Sequence, residues 1–152
     1  VEMKVYLGAD HAGYKMKNML KRLLVSMGYD VVDVGARRYV KEDDYPDFAV
    51  KVCRKVVRYG GFGILICASG QGMCVVANKV PGIRAALCWN RESARCAREH
   101  LDTNVLTLGA KFVKGDVAED IVRVWLRSNF SDAERHKRRL KKIRRIESLF
   151  SR

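Results

Sequence analysis

Two hydrophobic rhythms alternate along this chain. Five short apolar runs, Lys4–Gly8, Tyr29–Val34, Phe62–Cys67, Ile83–Leu87 and Asn104–Leu108, have the length and composition of strands. The third, Phe62-Gly-Ile-Leu-Ile-Cys67, shows no polar alternation at all, the signature of a strand covered by helices on both faces of a parallel sheet. Between these runs the spacing turns helical. Met16, Met19, Leu20, Leu23, Leu24 and Met27 share a face, and Gly28 supplies a C-terminal stop. After a polar loop through Asp44, Pro46 fits the first turn of a helix carrying Ala49, Val52, Cys53, Val56 and Val57. Gln71 to Lys79 is a further helix, and Asn90 caps one that runs to about Leu101. Val117, Ala118, Ile121, Val122 and Trp125 mark the next. Ser131-Asp-Ala-Glu134 has capping-box form and starts a last helix, with Leu140, Ile143, Ile146 and Phe150 along one stripe. Five strands alternating with helices predict one α/β domain over residues 1–152. Its form is a three-layer α/β/α sandwich with a five-stranded parallel, Rossmann-like sheet and an extended C-terminal helix over 132–150.

The third run stops abruptly at Cys67-Ala-Ser69-Gly70-Gln-Gly72. Cys67 therefore ends a central strand and faces the first turn of a helix, the place where open α/β sheets bind ligands. Free N–H groups at a helix start favour anions and lower a thiol's pKa from its usual value of about 8.5. Asp10 and His11 end the first strand and Gly109 to Lys111 the fifth, so all three sets share one sheet edge. Plainer roles exist for each. A strand cysteine is commonly a small buried hydrophobe, which is the reading for Cys53, Cys88 and Cys96, and Cys74 is assigned to the core. His100, ending a helix, has the position of a cationic C-terminal cap; Asp10 has that of a turn residue, and His11 that of a loop histidine.

Composition narrows the class. The 152 residues, 48% hydrophobic and 31% charged, suit a single well-packed domain with no disordered tract. Five cysteines without a CxxC pair point to a reduced, cytoplasmic protein, and His11, His100 and His136 have no metal-ligand spacing. The net charge of +13 is uneven: from Ala133 onward nine Lys/Arg stand against two Glu. Such a tail is a solvated helix face or an attractant for nucleic acid or phosphorylated small molecules.

Asp10-His11-Ala-Gly, Asp44-Tyr45-Pro46, Gly63-Ile-Leu-Ile-Cys67-Ala-Ser-Gly70, Ala77-Asn-Lys, Gly82-Ile-Arg-Ala-Ala, His100-Leu-Asp-Thr-Asn104 and Arg135-His-Lys-Arg-Arg139 follow one another in a single order. With these seven motifs, from Lys4 to about Glu147, the chain resembles the ribose-5-phosphate isomerase B family, which includes galactose-6-phosphate isomerase subunits. The resemblance implies aldose–ketose interconversion through an enediolate, with no metal or organic cofactor. It implies Cys67 as the base between C1 and C2, and His100, contributed across a dimer interface, as the ring-opening residue. Ser69 and the amides of Ala68, Gly70, Gln71 and Gly72 would hold the enediolate oxygens. His11, Arg135 and Arg139 match the phosphate-binding set, while Asp10 and Tyr45 line the sugar. Some relatives use a downstream glutamate as base; Met73 stands at that position. Three departures from the common pattern bear on sugar preference. Leu101 replaces an Asn, Ala68 replaces a Gly, and Lys111 replaces an Arg, keeping the charge but losing the bidentate fork.

The expected partner is a phosphorylated sugar, ribose 5-phosphate or, alternatively, galactose or allose 6-phosphate, bound by a homodimer or a dimer of dimers with the site at the subunit interface. No membrane or specific nucleic-acid partner is expected: aromatic interleaving and recognised binding motifs are missing from the basic tail. A dinucleotide fingerprint starting at Gly70-Gln-Gly72 fails because Val75 occupies its third glycine position.

Overall fold

The computed structural model describes residues 3–151. Its strands are β1 (Lys4–Ala9), β2 (Asp30–Gly35), β3 (Phe62–Cys67), β4 (Ala85–Leu87) and β5 (Val105–Gly109). The helices are α1 (Tyr14–Ser26), α2 (Tyr45–Tyr59), α3 (Gln71–Ala77), α4 (Arg91–Leu101), α5 (Gly115–Arg127) and α6 (Glu134–Phe150). All strand pairings are parallel, in the order β2-β1-β3-β5-β4. The three-layer α/β architecture expected from the alternating rhythms is the one observed. Among the described residues no helix is long and apolar enough to cross a membrane.

Strand alternation divides the core into two layers. Val5, Leu7, Ala9, Ile64, Ile66, Leu106 and Leu108 face α1, α4 and α5, whereas Tyr6, Leu65, Cys67 and Val105 face α2 and α3. Helix ends obey their local chemistry. After α1 the Tyr29 N–H bonds to Leu24 C=O and the Gly28 N–H to Val25 C=O, a Schellman closure that Gly28 permits at φ +88°. Asn90 and Ser93 cap α4 reciprocally.

Three local expectations need correction. The Ser131–Glu134 capping box does not form. Asp132 turns into the left-handed region, α6 starts at Glu134, and the Ser131 hydroxyl instead meets His136 Nδ1 at 2.6 Å and accepts the Ala133 N–H. The fourth strand begins only at Ala85, because the Arg84 N–H is taken by the Asn104 side chain rather than by a ladder partner. Cys96 and Cys74 are not buried core residues: both are partly exposed, the Cys96 thiol 3.7 Å from a Glu92 oxygen and the Cys74 thiol 3.7 Å from the Ala85 carbonyl oxygen.

One ion pair ties α1 to the end of β2. Lys17, fully buried, places Nζ 2.8 and 2.7 Å from the two oxygens of Asp33, which also accepts the Gly35 N–H. Burial opposes ionisation of Asp33, but the hydrogen bonds from Lys17 and Gly35 outweigh it and hold the carboxyl below its usual range. Asp33→Ala strands a buried ammonium and is expected to cost about 3–5 kcal/mol, read as a lower midpoint in urea unfolding. Because the folded pKa is depressed, the pair's contribution is complete above the unfolded carboxyl value of about 3.9 and is lost as acid carries the pH below it.

Candidate active site

In this strand order the direction of winding reverses between β1 and β3, and the crevice outside their carboxyl ends is the preferred ligand position of such sheets. Register places Ala9 beside Ile66 and Cys67 beside Gly109, so Asp10, His11, Cys67 and the residues after Gly109 do share one edge.

Cys67 is buried on the α2/α3 face, and its sulfur accepts the Gly70 N–H at 3.2 Å. The Ser69 hydroxyl accepts the Gln71 N–H at 3.2 Å. Two of the expected amide donors, Gly70 and Gln71, are thus engaged by the site's own side chains. The carbonyls of Cys67 and Ala68 accept from the Ala110 and Lys111 N–H groups at 2.9 Å, extending the β3–β5 pairing past Cys67 and fixing the loop; the Lys111 side chain is exposed. Gly70 takes φ +74° to turn from strand into helix. A Cβ on Gly72 would lie 2.5 Å from the Tyr45 ring, so only glycine lets that ring roof the start of α3. Of the other thiols, Cys53 and Cys88 are pushed up to about 12 by burial, which removes them as bases near neutrality.

Asp10 caps the 3₁₀ turn His11–Gly13 through its side chain, and burial pushes its carboxyl upward despite the Gly13 N–H. Asp10, His11 and Asp43 bring ligand-type atoms within 4.8 Å of one another, the one such grouping among the described residues, and His11 Nδ1 is already bonded to Asp43 at 2.7 Å.

The remaining expected residues lie elsewhere. His100 and Leu101 end α4, which returns the chain to the amino edge of the sheet; eleven helical residues correspond to a separation of about 16 Å from the edge that carries Cys67. His100 and Arg139 line a cavity of about 420 Å³ with Trp89, Leu101 and His136, and neither Cys67 nor His11 borders it. The His100 and His136 ring centroids lie 4.5 Å apart with the planes tilted by 35°, and burial, then Arg135, lowers His136. Arg135 is exposed one helical turn before Arg139. Beyond them α6 carries exposed Ile143, Ile146 and Phe150 along a groove of about 560 Å³. Within one chain, then, His100, Leu101 and Arg139 are gathered apart from Cys67 and His11. Sequence reasoning missed Asp43 and His136: the first is one of two adjacent aspartates in a polar loop, the second lies within a basic motif whose arginines drew the attention.

Comparison with known proteins supplies the class. The model of the ribose/galactose isomerase family matches residues 5–143. The chain is 41% identical over 139 residues to ribose-5-phosphate isomerase B of Mycobacterium tuberculosis H37Rv, covering 91% of this chain and 86% of that protein. Its fold superposes with a TM-score of 0.94 on ribose-5-phosphate isomerase B of Clostridium thermocellum, at 45% identity over 98% of this chain and all of the other. The Mycoplasma genitalium isomerase B, solved with bound ribulose 5-phosphate, gives 0.91 at 39% identity, covering 95% of this chain and 96% of that one.

Proposed function

The chain belongs to the ribose/galactose isomerase family, and we propose that it interconverts ribose 5-phosphate and ribulose 5-phosphate through an enediolate. The observation that carries the reading is the Cys67 sulfur at the carboxyl edge of the sheet, bonded by the Gly70 N–H, with the Ser69 hydroxyl in the loop beside it. Proton removal next to a carbonyl needs a base and a preorganised bed for the oxyanion that forms. Cys67 as thiolate takes the C2 proton of the open aldose, leaving the electron pair in the C1–C2 bond and the charge on O1. Ser69 and the amides of Ala68 and Gly72 stabilise that charge. Return of the proton to C1, with transfer of the O2 hydrogen to O1, completes the ketose. Asp10 and Tyr45 line the sugar, and Gly70, Gln71 and Lys111 shape the rim.

The other half comes from a second copy of the chain. His100 takes the anomeric hydroxyl proton and returns one to the ring oxygen, and Arg135 and Arg139, four apart on one helix face, join His11 at the phosphate. The working unit is a homodimer or a pair of dimers, with the apolar end of α6 on the neighbouring subunit. The five free thiols fit a reducing cytoplasm.

The test is turnover of ribose 5-phosphate in chelator-treated buffer beside allose and galactose 6-phosphates. The pentose is expected to lead in kcat/KM by about tenfold or more. Turnover of a hexose phosphate alone would replace the substrate, and no turnover of any would overturn the reading.

A further inference from the structure

His11 is held by a residue from outside its own turn. Asp43, in the segment between β2 and α2, uses one oxygen twice, accepting the His11 backbone N–H at 2.9 Å and meeting ring Nδ1 at 2.7 Å. Its second oxygen is buried and has no hydrogen-bond partner among the described residues. Leaving a carboxylate oxygen unpaired in the interior is costly, and both hydrogen bonds of the Asp43 carboxylate go to His11. The Tyr39 ring packs edge-on against the imidazole at 6.1 Å, closing the same segment over it. A carboxylate only accepts, so Nδ1 carries the hydrogen and Nε2 is the nitrogen left for a ligand. The carboxylate is 12% exposed and the imidazole 30%, which puts the acid behind the ring and the ring towards solvent.

We propose that Asp43 is a positioning residue for phosphate recognition: it fixes the tautomer and direction of the His11 ring and supplies the countercharge that makes Nε2 an N–H donor to a phosphate oxygen. This rests on the reading of His11 as a phosphate ligand. The electrostatics agree. The hydrogen bond to Asp43 raises His11 above the ordinary imidazole value, against a lowering by partial burial, and the charges of Asp10 and Asp43 add to the rise. A raised imidazole pKa means that the cation persists to higher pH and that phosphate affinity falls as the pH climbs through it. The groups that set this titration are Asp10, Asp43, the Tyr39 edge, the substrate phosphate and, in the two-chain site, Arg135 and Arg139 of a second copy.

Asp43→Asn keeps an acceptor oxygen of the same shape and removes the charge. In the full chain it is expected to raise KM for ribose 5-phosphate about tenfold at pH 7.5 with kcat within about twofold. The pH at which KM begins to climb moves down, and turnover of unphosphorylated ribose stays unchanged. Asp43→Glu, restoring the charge, recovers part of the KM. Imidazole NMR of the same proteins should show His11 titrating lower in Asp43→Asn, and inorganic phosphate shifting the His11 resonances in wild type more than in the variant. An unchanged His11 titration, or equal losses on ribose and ribose 5-phosphate, would overturn the proposal. Should ribose 5-phosphate prove not to be a substrate, the functional reading falls on that result alone, while the titration with inorganic phosphate still decides the role of Asp43.

Discussion

Cys67→Ala is expected to lower kcat/KM for ribose 5-phosphate by about 10²–10⁴, the usual contribution of a positioned base, with the fold intact. The side chain is 4% exposed and packs with Met73, Val105 and the α2 apolar face, so removing one sulfur costs stability on the scale of a single small core truncation, about 1 kcal/mol. The catalytic loss is expected to be larger, because the residue at the alternative base position and the deeply buried thiols are not substitutes. Met73 carries no proton-accepting group and is itself fully buried, and burial keeps the Cys53 and Cys88 thiols protonated. Circular dichroism and a urea midpoint measured on the same sample separate the two effects. Turnover close to wild type in a folded Cys67→Ala would remove Cys67 from the mechanism.

The second large effect concerns the opposite edge of the sheet. His100→Asn is expected to slow furanose substrate by about 10²–10⁴ and an open-chain analogue far less, because only the cyclic form needs its hydroxyl proton moved. Equal losses on both would contradict ring opening. The same variant tests where the site is assembled. Cys67 and His100 lie at opposite sheet edges of one chain, and the proposed site takes one from each of two copies. Mixing inactive Cys67→Ala with inactive His100→Asn and allowing subunits to exchange should restore about a quarter of wild-type activity, since half of the dimers are mixed and each of those has one intact site of two. Persistent inactivity of a mixture shown to exchange would mean that both residues act within one chain.

Much of the fold was readable along the chain because burial on both faces erases alternation. Phe62–Cys67 is too short for a typical helix and reads as a covered strand, and the apolar period of α5 reads as a helix with one face on the core. Reading was poorer where side chains compete with backbone. Ser131 looked like a helix cap but bonds His136, and Arg84 looked like strand but spends its N–H on Asn104. Asp43 gave no signal at all, since its meaning depends on a partner thirty-two positions away.

From its order of residues alone, this protein's strand and helix assignments, its family and the sheet edge bearing Cys67 were determined, because periodicity and motif spacing are local properties of the backbone. Only the folded chain decided that His11 leans on Asp43, that Gly70 and Gln71 spend their amides within the site, and that His100 stands an entire helix length from Cys67. Those facts depend on which distant segments come within a few ångströms of each other, and hydrogen bonds and charges act only across such gaps.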